Sequence, residues 1–182
     1  MTAKIKLNAA SGGGSFSLQA PSSSANNRVF TIPDEADATL LTSNTSTGKI
    51  LQVVSNSSNT QVVTSGSTAS DILNVSITPA NTSNKILVLI ACQVRVTASS
   101  NAYARFDIYK GSSSSGTLLI RHYGGTATAA SNYSQAGISY VDSPNTTSAT
   151  TYTLTIARGS SNTSTVDTDN ETYTITAIEV AA

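Results

Sequence analysis

The chain has 182 residues, of which 38% are hydrophobic and 11% are charged, and its ten basic and ten acidic residues cancel. Phosphate neutralisation supplies most of the affinity of nucleic-acid-binding proteins, so a chain without a basic patch is not predicted to bind nucleic acid. Ser, Thr and Asn supply the polarity, and they favour strands and turns over helix interiors. The composition therefore predicts an all-β protein with one domain, or one domain and an extension.

The first part of the chain, residues 1–48, contains strand-sized segments with few apolar residues in each. These segments span residues 4–7, 16–18, 28–33 and 39–42. Each is too small to bury a core alone, so neighbouring chains would have to lend strands to one another. We therefore predict an N-terminal attachment region built as an intertwined β stalk, and a flexible arm is the alternative.

The sequence from residue 49 to residue 182 has a denser apolar pattern, which predicts the main domain. Its predicted strands span residues 50–54, 61–64, 71–78, 85–97, 102–110, 117–123, 135–142, 150–158 and 171–180. Short strands at this spacing, separated by Ser/Gly/Asn-rich turns, are typical of an antiparallel β-sandwich head of the jelly-roll type and not of β-α-β units. Residues 86–90 are all apolar, which predicts a central strand covered on both faces.

Cys92 is the only cysteine in the sequence, so no intrachain disulfide and no Cys-based zinc site can form. It lies in the most apolar run, residues 86–92, and we expect a buried, inert thiol. That run is too short to cross a bilayer. No apolar stretch follows Lys4 and Lys6 near the N-terminus, so we expect no signal peptide, synthesis in a cytoplasm and no membrane insertion.

The predicted strand at residues 102–110 has two different faces. Its outer face carries Tyr103, Arg105 and Tyr109, and its inner face is apolar around Phe106. Tyr and Arg are enriched at protein interfaces, so these three outer residues are predicted to line a contact between subunits. An ordinary amphipathic surface strand is the alternative interpretation.

Aromatic and amide side chains also occur where loops are predicted, at Asn101, Tyr123 and Tyr133. A ring on which a sugar can stack, beside an amide that can hydrogen-bond to hydroxyl groups, is a typical arrangement for saccharide recognition. These residues are therefore candidate glycan contacts, although tyrosines are also common in β-proteins without such a role.

The sequence offers no catalytic site, and we predict that the protein is not an enzyme. His122 is the only histidine, and no orienting partner for a general base lies near it in the sequence. Asp167, Asp169 and Glu171 alternate in the oxygen-rich pattern that calcium prefers, which makes them the best metal candidates. The remaining ligands of a calcium loop are missing, so we predict no metal and no cofactor.

Five segments carry a resemblance to a known group of proteins. They are GGGSFSLQAP (12–21), FTIPDE (30–35), TLLT (39–42), GKILQVV (48–54) and SITPANTSNKILV (76–88). The first four resemble a recurrent N-terminal segment of tail-fibre and other virion proteins of tailed bacteriophages, especially those that infect marine bacteria. The fifth is similar to the opening of the C-terminal head in the same proteins.

This resemblance implies a homotrimer with an N-terminal attachment region, which contacts other virion proteins, and a β head like those of complement and tumour necrosis factor. It implies a short tail-associated fibre of the virion that helps the particle attach to host surface glycans. A capsid decoration protein that stabilises the shell is the alternative. A bacterial extracellular carbohydrate-binding module is a second alternative, which the expected absence of a signal peptide disfavours.

Overall fold

The computed structural model describes residues 4–8, 10–19, 23, 25, 49–98, 102–127, 130–159, 164–168 and 170–182. The chain divides into two compact units, residues 1–41 and residues 42–182. Every regular element in the described residues is a strand, which confirms the all-β prediction.

The first unit contains an antiparallel hairpin of β1 (Lys4–Asn8) and β2 (Ser15–Gln19). The turn between them includes Gly12 and Gly13, whose φ angles are 84° and 71°. Glycine adopts such positive φ angles without the steric cost that a Cβ atom would bring, so the glycine run lets the chain reverse. The strands predicted at residues 28–33 and 39–42 lie outside the described residues. The predicted stalk and its alternative, a flexible arm, both involve these residues, so both stay predictions.

Among the residues that the structure describes, the second unit has ten strands. In chain order they are β3 (Ile50–Ser58), β4 (Val63–Thr64), β5 (Ser70–Ile77), β6 (Lys85–Ala98), β7 (Ala102–Lys110), β8 (Thr117–Ala127), β9 (Ala130–Asp142), β10 (Thr150–Arg158), β11 (Ser164–Asp167) and β12 (Tyr173–Val180).

Eight of these strands form two antiparallel layers. Layer I has the order β3-β12-β6-β9, and layer II has the order β5-β10-β7-β8. The chain changes layer at every connection between these eight strands except the β7–β8 hairpin, and this is the topology of a jelly roll. The predicted β-sandwich is therefore confirmed. The short strands β4 and β11 extend layer I beside the second half of β6.

The hydrophobic core lies between the two layers. Phe106, Tyr152 and Ile156 fill it from layer II, and Ile86 and Val88 fill it from layer I. Successive side chains of a strand point to opposite faces, so each of these strands directs every second residue into the core. On β10 the outward residues Thr153, Thr155 and Ala157 are buried as well. The inner face predicted around Phe106 is confirmed, because Phe106 is 1% exposed.

One expectation about β6 is wrong. The apolar run at residues 86–90 is buried on one face only, since Leu87 is half-buried and Leu89 is 37% exposed. Layer II covers the inner face of layer I, and Leu87 and Leu89 point away from it. The apolar residues on the second face therefore contribute to the surface of this chain.

Candidate functional site

The outer face of layer II carries a cluster of aromatic and charged side chains. The rings of Tyr103 on β7 and Tyr123 on β8 meet edge to face, with centroids 5.3 Å apart and planes at 85°. This arrangement brings the positive edge of one ring to the negative face of the other. Tyr123 is the cross-strand partner of Arg105, and the next outward pair along the strands is Asp107 with Arg121.

Asp107 is the centre of this cluster and is fully buried. Its carboxylate accepts hydrogen bonds from Arg121 Nε at 2.9 Å and from Arg121 Nη2 at 3.2 Å. Arg105 Nε lies 3.2 Å from Asp107 Oδ2. The bidentate hydrogen bond to Asp107 raises the pKa of Arg121 above its usual value. The two guanidinium groups therefore stabilise a buried carboxylate, which is a structural role.

The predicted site residues divide between the two layers. Tyr103 and Tyr123 are exposed, at 37% and 51%, and they contact each other, whereas Arg105 and Tyr109 are half-buried on the same face. Tyr133 lies on β9 in layer I, so it belongs to a different surface from Tyr123. Asn101 lies outside the described residues.

The two candidate metal ligands that the structure describes have different surroundings. Asp167 is buried, and its carboxylate is contacted by Arg95 Nε at 3.1 Å and Gln61 Nε2 at 3.2 Å. Glu171 is exposed, and Asp169 lies outside the described residues. Within the described ranges, no three His, Cys, Asp or Glu side chains are grouped closely enough to hold a metal ion.

The outer face of layer I has two features that the sequence did not reveal. The first is a line of aliphatic side chains that crosses all four strands in register, from Val53 through Ile178 and Leu87 to Val141. Val53 and Val141, at its two ends, are each 58% exposed. We call these four residues the apolar row. On β6 the outward positions between Lys85 and Arg95 carry no charge. The outward residues paired with them across β12, β3 and β9 are uncharged as well.

The second feature is a cavity of about 270 Å³ where β6 changes its neighbour. On one side, β12 pairs with β6 as far as Ala91, and β11 pairs with it from Arg95 onward. The cavity opens in the gap between these two pairings. Its lining residues are Ala91, Cys92, Gln93, Gln135, Ala136, Gly137, Glu171 and Thr172.

Cys92 contributes to the inner wall of this cavity, and the expected buried thiol is confirmed. Burial raises the pKa of the Cys92 thiol to about 12. A thiol with so high a pKa is almost entirely protonated at neutral pH, and the protonated form is neither a good nucleophile nor a metal ligand.

The fold and these surfaces define the chain as a jelly-roll β-sandwich protein whose most distinctive features lie on the outer faces of its sheets. Among the described residues, no helix is long and apolar enough to cross a membrane.

Comparison with solved structures finds chains of infectious bursal disease virus particles. A chain of the T13 viral particle is 13% identical with a TM-score of 0.40, over 82% of this chain and 41% of that chain. A chain of the Gx strain is 15% identical with a TM-score of 0.40, over 82% and 43%. The VP2 subviral particle gives 14% identity and a TM-score of 0.39, over 82% and 43%.

The chain thus spans about two fifths of the length of these viral particle chains. No protein-family model matches the sequence, and no curated protein matches it.

Proposed function

We propose that this protein is a structural component of a bacteriophage particle, in which three identical chains assemble into a short tail-associated appendage that contributes to host attachment. The observation that carries the proposal is the apolar row on the outer face of layer I. The resemblance of residues 12–54 and 76–88 to virion proteins of tailed phages supports both the particle and the trimer.

Covering the apolar row with another apolar surface would lower the free energy of the protein in water. Val53 and Val141 are more than half exposed, and burying apolar surface is worth roughly 25 cal/mol per Å². A contiguous exposed apolar patch on a soluble protein commonly marks a contact with another macromolecule. The row crosses four strands, so it is wide enough to form the centre of such a contact.

A second copy of this chain fits the row better than a charged partner does. Lys85 lies beside Leu87 at the edge of the row and donates a hydrogen bond to Ser143 Oγ at 2.7 Å, so the face carries a single cation there and no cluster of charges that would hold a phosphate backbone or an acidic protein. Leu89 is the next outward residue on β6, and it is apolar and 37% exposed, while its cross-strand neighbours Thr176 and Ser139 are uncharged. The same largely apolar face on the two neighbouring copies matches these properties when the three rows meet around a threefold axis.

Sedimentation of the full chain at micromolar concentration tests this assembly. We expect a trimer for the natural sequence and a monomer for the double variant V53K/V141K, because lysines in the row would place like charges against one another. Val63 on β4 is also 58% exposed, so V63K is a matched control that should remain a trimer. Cooperative thermal unfolding of each variant shows that it is folded. A monomeric natural protein, or a trimeric double variant, would contradict the proposal.

Immunogold labelling of purified particles tests the location. Label at the tail, with binding of the purified protein to host cells, is the expected result. Label over the shell would replace the attachment role by capsid decoration, and particles without the protein would end the virion assignment.

A further inference from the structure

We propose that the cavity beside β6, together with Tyr133, binds a neutral saccharide. This inference rests on the attachment role proposed above and names the ligand class and the residues that would recognise it. It starts from the gap between β12 and β11 along β6, where residues of β6, of β9 and of the segment before β12 line the cavity. Such a gap is a concave place on an otherwise continuous sheet.

Small residues form the bottom of the cavity, and polar side chains form its sides. Ala91 and Gly137 are cross-strand partners on the floor, and a Cβ atom added to Gly137 would meet nothing within 4 Å. Gln93 and Gln135 form the next outward cross-strand pair, and Glu171 stands at the side. The volume of about 270 Å³ is near the lower end of the roughly 300–1,000 Å³ usual for ligand pockets, so it suits one sugar unit of a longer chain.

These side chains match the hydrogen-bonding groups of a sugar. A sugar hydroxyl both donates and accepts hydrogen bonds, and each glutamine amide also supplies donors and an acceptor. The exposed carboxylate of Glu171 adds an acceptor. Tyr133 precedes Gln135 on the same face of β9, about 7 Å along the strand, and its ring is 53% exposed. The apolar face of a pyranose ring can lie against such a ring while its hydroxyls reach the amides.

The local charges favour a neutral sugar over an acidic one. Arg95 lies next to Tyr133 in the register, but its guanidinium contacts the buried carboxylate of Asp167 at 3.1 Å. Glu171 would repel the carboxylate of a sialic or uronic acid. The apolar row is also separate from this cavity, because Leu87 and Ala91 are four residues apart, about 13 Å along β6. The V53K/V141K substitutions therefore change no residue that lines the cavity.

Binding of fluorescently labelled full-length protein to an array of neutral and sialylated oligosaccharides tests the inference. We expect binding to neutral glycans, confirmed by titration calorimetry with the best free oligosaccharide. Y133A and Q135A should each weaken that binding at least tenfold, and G137V should abolish it by filling the cavity. E171Q should admit acidic glycans that the natural protein rejects, because the amide removes the negative charge and keeps an acceptor.

Leu118 provides the control, because it is an exposed large side chain on β8 in the other layer. L118A should bind as the natural protein does, and equal losses in L118A and Y133A would overturn the inference. Absence of binding to every neutral glycan on the array would overturn it as well. The V53K/V141K monomer should still bind, so failure of the trimer and failure of the saccharide site give different results.

Discussion

Glu179 is a buried carboxylate that fixes the turn between β5 and β6. Its Oε1 atom accepts hydrogen bonds from Asn84 Nδ2 at 2.6 Å and from the backbone N–H of Ala80 at 2.7 Å, and Gln52 Nε2 donates to Oε2. Burial alone would raise the pKa of Glu179, but the hydrogen bonds outweigh burial and lower it below 4.5. The turn that contains Asn84 is therefore built around an ionised side chain from the last strand.

Replacing Glu179 by Gln should destabilise the fold in a way that depends on pH. At pH 7 we expect E179Q to lose about 2–3 kcal/mol, because the amide leaves buried donors without their charged acceptor. The folded pKa lies below the unfolded pKa, so the stabilisation is complete above about 4.5 and is lost as pH falls through the folded pKa. Urea unfolding at pH 7 and pH 3 measures this. A gap between variant and natural protein that stays equal at both pH values would contradict it.

Asp107 offers a second test at the scale of one side chain. In D107N the half-buried Arg105 and its neighbour Arg121 lose their counter-ion, and removing one partner of a buried ion pair costs about 3–5 kcal/mol. Asp71 is exposed, so D71N should change the free energy of unfolding by less than about 1 kcal/mol. Chemical denaturation compares the two variants, and similar losses would show that the cluster around Asp107 has no special importance.

At the scale of elements, Gly159 follows β10 and makes room for Tyr103. The Gly159 N–H donates to the Tyr103 carbonyl at 2.8 Å, and a Cβ atom at Gly159 would approach the Tyr103 ring too closely for the ring to stay in place. The glycine thus allows β10 and β7 to pass close to each other and seats the Tyr103 ring against Tyr123.

We therefore expect G159A to cost about 1–3 kcal/mol, in the range of other overpacked sites. Gly137 on β9 is the control, because a Cβ there meets open space and its backbone angles suit any residue. G137A should be neutral or slightly stabilising, since alanine reduces the freedom of the unfolded chain. Thermal unfolding monitored by tyrosine fluorescence measures both changes. An unchanged midpoint of thermal unfolding in G159A would show that the Tyr103 ring moves aside without a cost in stability.

The strands that could be predicted from the sequence are those with a regular alternation of apolar residues. β7 and β10 begin and end where their patterns predict, because each carries a complete inward face. β11 lies in a segment predicted to be a loop, since what holds it is its pairing with β4 and β6. β9 begins at Ala130 rather than at residue 135 for the same reason: its polar first half pairs with the second half of β6.

The candidate sites also differ in how much of each could be predicted from the sequence. Tyr103 and Arg105 could be assigned to one outer face because they are two positions apart on one strand. Gln93 and Gln135 form the walls of a cavity only through the register of β6 with β9, and that register cannot be read from either segment alone. The apolar run of β6 predicts a strand covered on both faces, whereas Leu87 contributes to the exposed apolar row.

The two layers of the molecule are also joined by a polar link at one end of the sandwich. Asp142 of β9 accepts a hydrogen bond from the Tyr152 hydroxyl at 2.8 Å and lies 3.2 Å from Lys110 Nζ, and both partners belong to layer II. Burial and the bond to Asp142 raise the pKa of Tyr152 above its usual value. Each chain is thus held together across its own sandwich, and its outer faces remain available for other contacts.

Assembly through the apolar row makes the stability of the whole molecule depend on protein concentration. Unfolding a trimer to three separate chains includes two dissociation steps, and each is opposed by a higher protein concentration. Each tenfold rise in concentration therefore adds about 2.8 kcal/mol to the free energy of unfolding per trimer, or about 0.9 kcal/mol per chain. We expect the midpoint of thermal unfolding to rise between 1 and 100 µM, by roughly 2–4 °C per kcal/mol for a chain of this size. The V53K/V141K variant should unfold at one temperature throughout this range, since a monomer has no association term. A midpoint of the natural protein that does not move with concentration would show that the row stays uncovered.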